Sequence, residues 1–198
     1  MHVEIVEQSD YCGSGVSRGD QSIVLSPVEL FTILRILLGA LFVAYGAHKR
    51  FGWFGGHGLH ASAYDLAAQG VRGARTWSRI SALVEILGGL SLILGLLTPV
   101  GAAAVMAVLL VSVVQLHVGK GFWNARGGYE YPVVLLLLAL LVALAGPGPL
   151  SLDYLIRYPW PYKTMLVASM ALAAVGAVAA IYASSPKGRK ASRSRQLT

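Results

Sequence analysis

Five apolar stretches, at 28–47, 80–97, 100–118, 132–145 and 164–183, set what this chain can fold into. A helix rises ~1.5 Å per residue and the hydrocarbon core of a bilayer is ~30 Å thick, so a span needs roughly 17–25 predominantly apolar residues. Four of the stretches have that length. The fourth in order is shorter and reaches it by borrowing Glu130 and Tyr131 at one end and residues 146–152 at the other. Composition points the same way, with 56% of the 198 residues hydrophobic and 13% charged, where a soluble domain carries about a quarter charged. Mean hydropathy is +0.64. The predicted fold class is an all-α integral membrane protein with five spans.

Charge sets the expected sidedness. Twelve of the 16 Lys and Arg residues fall between spans one and two (Lys49, Arg50, Arg72, Arg75, Arg79), between three and four (Lys120, Arg126), or after span five (Lys187, Arg189, Lys190, Arg193, Arg195). Arg18, Arg157 and Lys163 lie on the other side, and Arg35 is inside span one. The positive-inside rule then puts the N-terminus outside and the C-terminus in the cytoplasm of a multi-pass cell-membrane protein. Residues 1–27 read as an acidic extracytoplasmic arm without a signal-peptide h-region. Residues 184–198 read as a basic cytoplasmic tail that anchors topology beside anionic lipid rather than binding nucleic acid. The single cysteine, Cys12, excludes an intramolecular disulfide, a CxxC pair and a cysteine-cage metal site. His57 and His60 give an H-x-x-H spacing but no further anchored ligands, so no metal is expected.

Residues 51–77 predict a short interfacial helix around "HASAYDLAAQG". Spans two and three predict an antiparallel hairpin across "TPVG", where Pro99 can open a helix without wasting a donor. Glycine and alanine recur at helix-contact spacing (Gly39, Gly46, Gly88, Gly89, Gly95, Ala103, Ala107, Gly176, Ala180), which suits close backbone approach in lipid. After span four, Tyr154, Tyr158, Trp160 and Tyr162 read as an outer interfacial belt.

Ionisable residues inside spans need partners, because a charge there costs at least ~2.5 kcal/mol on insertion scales. Arg35 is ~11 Å from the outer end of span one and Glu85 ~18 Å from the outer end of span two, counted at the helical rise. The difference is within reach of a guanidinium, so an Arg35–Glu85 pair is expected, as a structural tie or as part of a proton or substrate path. A second cluster gathers near the inner surface: His48 and Lys49 after span one, Gln115 and His117 ending span three, and Glu130 opening span four. Trp53, Phe54, Trp77, Phe122, Trp123 and Tyr131 accompany it in sequence. Three segments bringing His, Lys and Glu to one depth select Lys49, His117 and Glu130 as a candidate ligand site. Trp53 and Phe122 are the candidate stacking residues. The stretch "YGAHKRFGWFGG" would then combine an inner-leaflet anchor with one wall of that site.

These same residues carry a resemblance. "LLGALFVAYGAHKRFGWFGG", "VEILGGLSLILGLLTPVGA", "QLHVGKGFWNARGGYEYPVVLLLLAL" and "GPGPLSLD" occur in the order found in the DoxX family of small polytopic membrane proteins, over residues 34–153. The resemblance implies a four-helix bundle at 28–153. Residues 154–183, an outer aromatic loop and a fifth helix, would be an addition. It also implies a membrane subunit of a redox complex that handles sulfur or thiol compounds, as in thiosulfate:quinone oxidoreductase, and it maps the family's recurrent polar positions onto Arg35, Lys49, Glu85, His117 and Glu130.

The expected function is an accessory subunit of an oxidoreductase rather than a stand-alone enzyme. No intrinsic cofactor is expected, and a quinone is the candidate ligand. Membrane lipid and a protein of the oxidoreductase complex are the expected partners, and a homo-oligomer stays open. The alternative is a small-solute transporter or a membrane scaffold without chemistry.

Overall fold

A computed structural model describes residues 26–53, 55–56, 58–156 and 161–184. The acidic arm with Cys12, the belt residues Tyr158 and Trp160, His57 and the basic tail lie outside them. The helices are α1 (Pro27–Phe51), α2 (Gly58–Ala68), α3 (Ala74–Leu94), α4 (Thr98–Ser112), α5 (Glu130–Ala145), α6 (Leu152–Leu155) and α7 (Tyr162–Ser184). A π-helical turn, Val113–His117, continues α4. Four segments are long and apolar enough to cross a membrane: α1, α3, α4 with its π-helical extension, and α7. The 16 residues of α5 are apolar but shorter, about 24 Å at the helical rise.

Local sequence sets the helix ends. Ser26 and Glu29 form a capping box at the start of α1, with Pro27 in the first turn, so two otherwise orphaned N–H groups are bonded. At the other end α1 runs past the hydropathy boundary at Ala47 to Phe51, where Gly52 takes the left-handed conformation (φ 75°) that stops it. Likewise α3 starts at Ala74, because Arg75 and Arg79 lower hydropathy without disfavouring helix. The chain reverses at Gly95–Leu97, before "TPVG", which is the first turn of α4.

Helices α1 and α3 lie antiparallel in close contact. A Cβ built on Gly39 would stand 2.6 Å from the Gly89 carbonyl, and one on Gly46 would stand 2.7 Å from the Ala82 carbonyl. Only glycine permits that approach, and in lipid such packing replaces the absent hydrophobic force. The buried core joins α1 (Leu38, Phe42), α3 (Leu92), α4 (Ala102, Val105, Met106, Leu109) and α5 (Leu135, Ala139, Val142, Ala143). These four helices pack as one bundle. The long helix α7 packs on α4 from outside it, and the interfacial helix expected between spans one and two is α2.

Candidate functional site

The expected Arg35–Glu85 pair is not formed. Glu85 instead pairs with Lys49, with 2.5 Å from Nζ to Oε1. The reason is side-chain direction. Helical side chains lean toward their own N-terminus. The glycine contacts set Glu85 across from the stretch between Val43 and Gly46. On antiparallel helices, Glu85 leans toward the end of the bundle that the charge pattern predicts to be inner and Lys49 leans back toward the predicted outer end, so the two converge. Arg35 leans outward, away from Glu85. It occupies the same stripe of α1 as Lys49, two heptads earlier, but at the opposite end of the contact.

Arg35 ties down the outer loop instead. It is 2% exposed and donates from Nη1 to the Pro147 carbonyl (2.5 Å) and from Nη2 to the Leu150 carbonyl (2.7 Å). Gly95 lies so close that a Cβ there would collide with the guanidinium. The last residue of the same loop region, Asp153, accepts from the backbone N–H of Leu97 (2.9 Å) and Thr98 (3.2 Å). It thereby caps α4 and holds Leu97 at φ 50°, an unfavourable angle for a branched residue. "GPGPLSLD" is therefore an outer clasp joining α1, α4 and α5.

A groove of about 500 Å³ opens between α3, α4 and α7 and runs along α4 from Val100 to Leu116. Its floor is α4 (Ala103, Ala104, Ala107, Val111), and its walls are α3 (Ile80, Val84) and α7 (Leu172, Ala173, Gly176, Ala180). Small and aliphatic side chains line most of its length. Its polar groups are Lys49 at the end of α1, Ser62 and Asp65 of α2, Ser78 and Ser81 of α3, and Ser112 and Gln115 at the end of α4, with Trp77 beside them, and Ser169 of α7 toward the other end. The Ser169 hydroxyl is bonded to the Pro99 and Leu166 carbonyls, so the remaining polar groups gather at one end. Ser78 is 1% exposed, and its Oγ has no hydrogen-bond partner. The inner end is closed by α7, where Gln115 Nε2 donates to Ser184 Oγ and the Arg72 N–H donates to the Ser184 carbonyl (3.0 Å). Gln115 itself stands in the π-helical turn, a distortion that recurs at functional positions.

Of the residues selected from sequence, Lys49 lines this groove, and His117, Glu130, Trp53 and Phe122 do not. His117 Nδ1 lies 3.1 Å from the Ser112 carbonyl. Glu130 accepts from the Asn124 N–H (3.1 Å) and so closes its own loop. Phe122 stacks edge-on against Trp123 and Tyr129, and Trp53 leans on Phe51. Ser78 and Asp65 escaped the sequence reading because hydropathy put the inner turn of α3 and all of α2 outside the spans. Among the described residues no group of three His, Cys, Asp or Glu side chains could hold a metal.

Residues 30–118 match the DoxX family, a segment that runs from α1 to the end of α4. An uncharacterized protein of Haemophilus influenzae is 30% identical over 82 residues, which is 41% of this chain and 54% of that protein. This chain thus spans about half the length of that curated relative. No solved structure matches.

Proposed function

We propose that the chain, a multi-pass membrane protein of the DoxX family through residues 30–118, is an accessory subunit of an oxidoreductase assembly that holds a long-tailed, quinone-like ligand. The observation that carries this reading is the α3–α4–α7 groove, lined by apolar side chains over most of its length, with its polar groups gathered toward one end apart from Ser169, whose hydroxyl is bonded to carbonyls. A ligand with that distribution has a chain soluble in hydrocarbon and a head that makes hydrogen bonds. The head would lie near Lys49, Ser78 and Gln115, with Trp77 available to cover a ring. Ser78 supports the fit, because a buried hydroxyl without a partner costs stability unless a ligand or water supplies one.

A quinone supplies two-electron chemistry, and the chain's own residues supply binding. Lys49 can donate to a ring oxygen while Glu85 holds its ammonium in place. The sequence has one cysteine and no CxxC pair, so electrons would come from a partner protein, with sulfur or thiol compounds the substrate class that the family suggests. The inner position of the groove follows from the charge-based topology. Trp53, Phe122 and the basic inner loops would then face headgroups or that partner. The alternative, a small-solute transporter or scaffold, draws on the Lys49–Glu85 pair and on the lack of a recognisable nucleophile–base set in the sequence.

The test is a protein in nanodiscs whose sole tryptophan is Trp77, titrated with decyl-ubiquinone. Saturable quenching is expected, weakened about tenfold (~1.4 kcal/mol) by Lys49→Gln. Quenching that rises linearly with ligand in the bilayer, unchanged by Lys49→Gln, would reject the site.

A further inference from the structure

One wall of the groove comes from beyond the family-matched segment, which ends at residue 118, since α7 starts at Tyr162. The helix is fixed near both ends. Ser169 Oγ donates to the Pro99 carbonyl (3.2 Å) toward the outer side, and Ser184 holds Gln115 and Arg72 at the inner side. Between these ties α7 turns Ala173, Gly176 and Ala177 to the groove.

Gly176 differs from the other helical glycines. Gly39, Gly46 and Gly89 are required by contact, because a Cβ at any of them would run into backbone. A Cβ at Gly176 would meet nothing within 4 Å, and α7 continues as regular helix through it. A glycine in a helix interior destabilises it relative to alanine, and no packing contact or turn here accounts for that choice. What it leaves is open space in the groove wall. Gly176 stands eight residues before Ser184, about 12 Å from the inner end at the helical rise. That is the depth of lipid chains rather than headgroups.

We infer that Gly176 is a specificity-determining position: it keeps open the passage between α3 and α7 through which the ligand's chain leaves the groove sideways into lipid. The inference rests on the proposed ligand site and adds where the chain runs. The head is held at the inner end, where buried Ser78 Oγ has no protein partner. The site therefore accepts an amphiphile whose head and chain lie about two to three helical turns apart along α7.

Two probes separate this from the underlying reading: a chainless benzoquinone and the same ring with a decyl chain, both followed by Trp77 quenching. Gly176→Leu fills open space and improves helix propensity, so the protein should fold. It should weaken the decyl ligand by roughly tenfold or more, because a filled groove excludes the chain sterically, and leave the chainless ring within about twofold. Ala173→Leu, one turn away on the same wall, should repeat the pattern. Unchanged decyl affinity in both variants, or equal loss of both ligands, would overturn the inference while the ligand site stood. Absence of saturable binding of either ligand to the unsubstituted protein would overturn the site and the inference together.

Discussion

Removing the Lys49–Glu85 pair one partner at a time should have unequal effects. Glu85 is 6% exposed at its side chain and Lys49 31%. At their 2.5 Å separation, the attraction is roughly 6–7 kcal/mol at an effective dielectric of about 20, before the desolvation cost that offsets most of it. Lys49→Met leaves a carboxylate with neither oxygen paired, because Glu85 Oε2 already has no partner. The expected loss is about 3–5 kcal/mol, less whatever the carboxyl recovers by taking up a proton. Glu85→Gln leaves an ammonium near a helix end that can snorkel toward headgroups, and should cost about 1 kcal/mol. The double variant should be more stable than Lys49→Met alone, giving a coupling of at least about 2 kcal/mol. Reversible unfolding by SDS in mixed micelles reads these values. Arg35→Met combined with Glu85→Gln is the control and should be additive within about 0.5 kcal/mol. Additivity for Lys49 and Glu85, or strong coupling for Arg35 and Glu85, would refute the assignment of the ion pair.

Three further outcomes follow from the geometry. Arg35→Met should cost about 3–5 kcal/mol, since it removes two charge-assisted bonds from a buried guanidinium to the loop carbonyls. Arg35→Lys should rescue little, because one ammonium cannot span the forked pair, and limited proteolysis at residues 146–151 would report the loosened clasp. Asp153→Ala should cost about 1–2 kcal/mol through the lost cap of α4, and Asp153→Asn less, both by the same unfolding assay. For sidedness, impermeant maleimide should label Cys12 and an introduced Ser194→Cys from opposite faces of the membrane. Labelling of both from one face would end the proposed five-span topology.

The helices were legible because hydropathy reports what lipid demands of a segment. Their ends were less so. Arg75 and Arg79 hid the first turn of α3, and the glycine that stops α1 is Gly52, beyond the last apolar residue. The outer clasp is visible in the sequence as "GPGPLSLD", but nothing in its spacing says that Arg35 binds its carbonyls. Depth arithmetic allowed Arg35 and Glu85 to meet. It ignored the direction in which helical side chains lean, and that direction brings Lys49 to Glu85. Of the groove lining, Lys49, Gln115 and Trp77 stand out in the sequence because a cation, an amide and a tryptophan at span ends are conspicuous. Ser78 does not stand out, since a serine in an amphipathic turn looks ordinary, and the helix-contact role expected for Gly176 fails because a Cβ there would meet nothing within 4 Å.

The central claim is that a long-tailed ligand lies between α3, α4 and α7. Photolabelling with an azido-quinone bearing a long chain, in nanodiscs and followed by peptide mass spectrometry, addresses it directly. Competable labelling should fall on peptides containing Trp77–Val84, Ala103–Gln115 and Leu172–Ala180, the groove-lining segments. Labelling confined to Trp53 and the Phe122–Glu130 loop, or spread over all lipid-facing helices without competition, would contradict it.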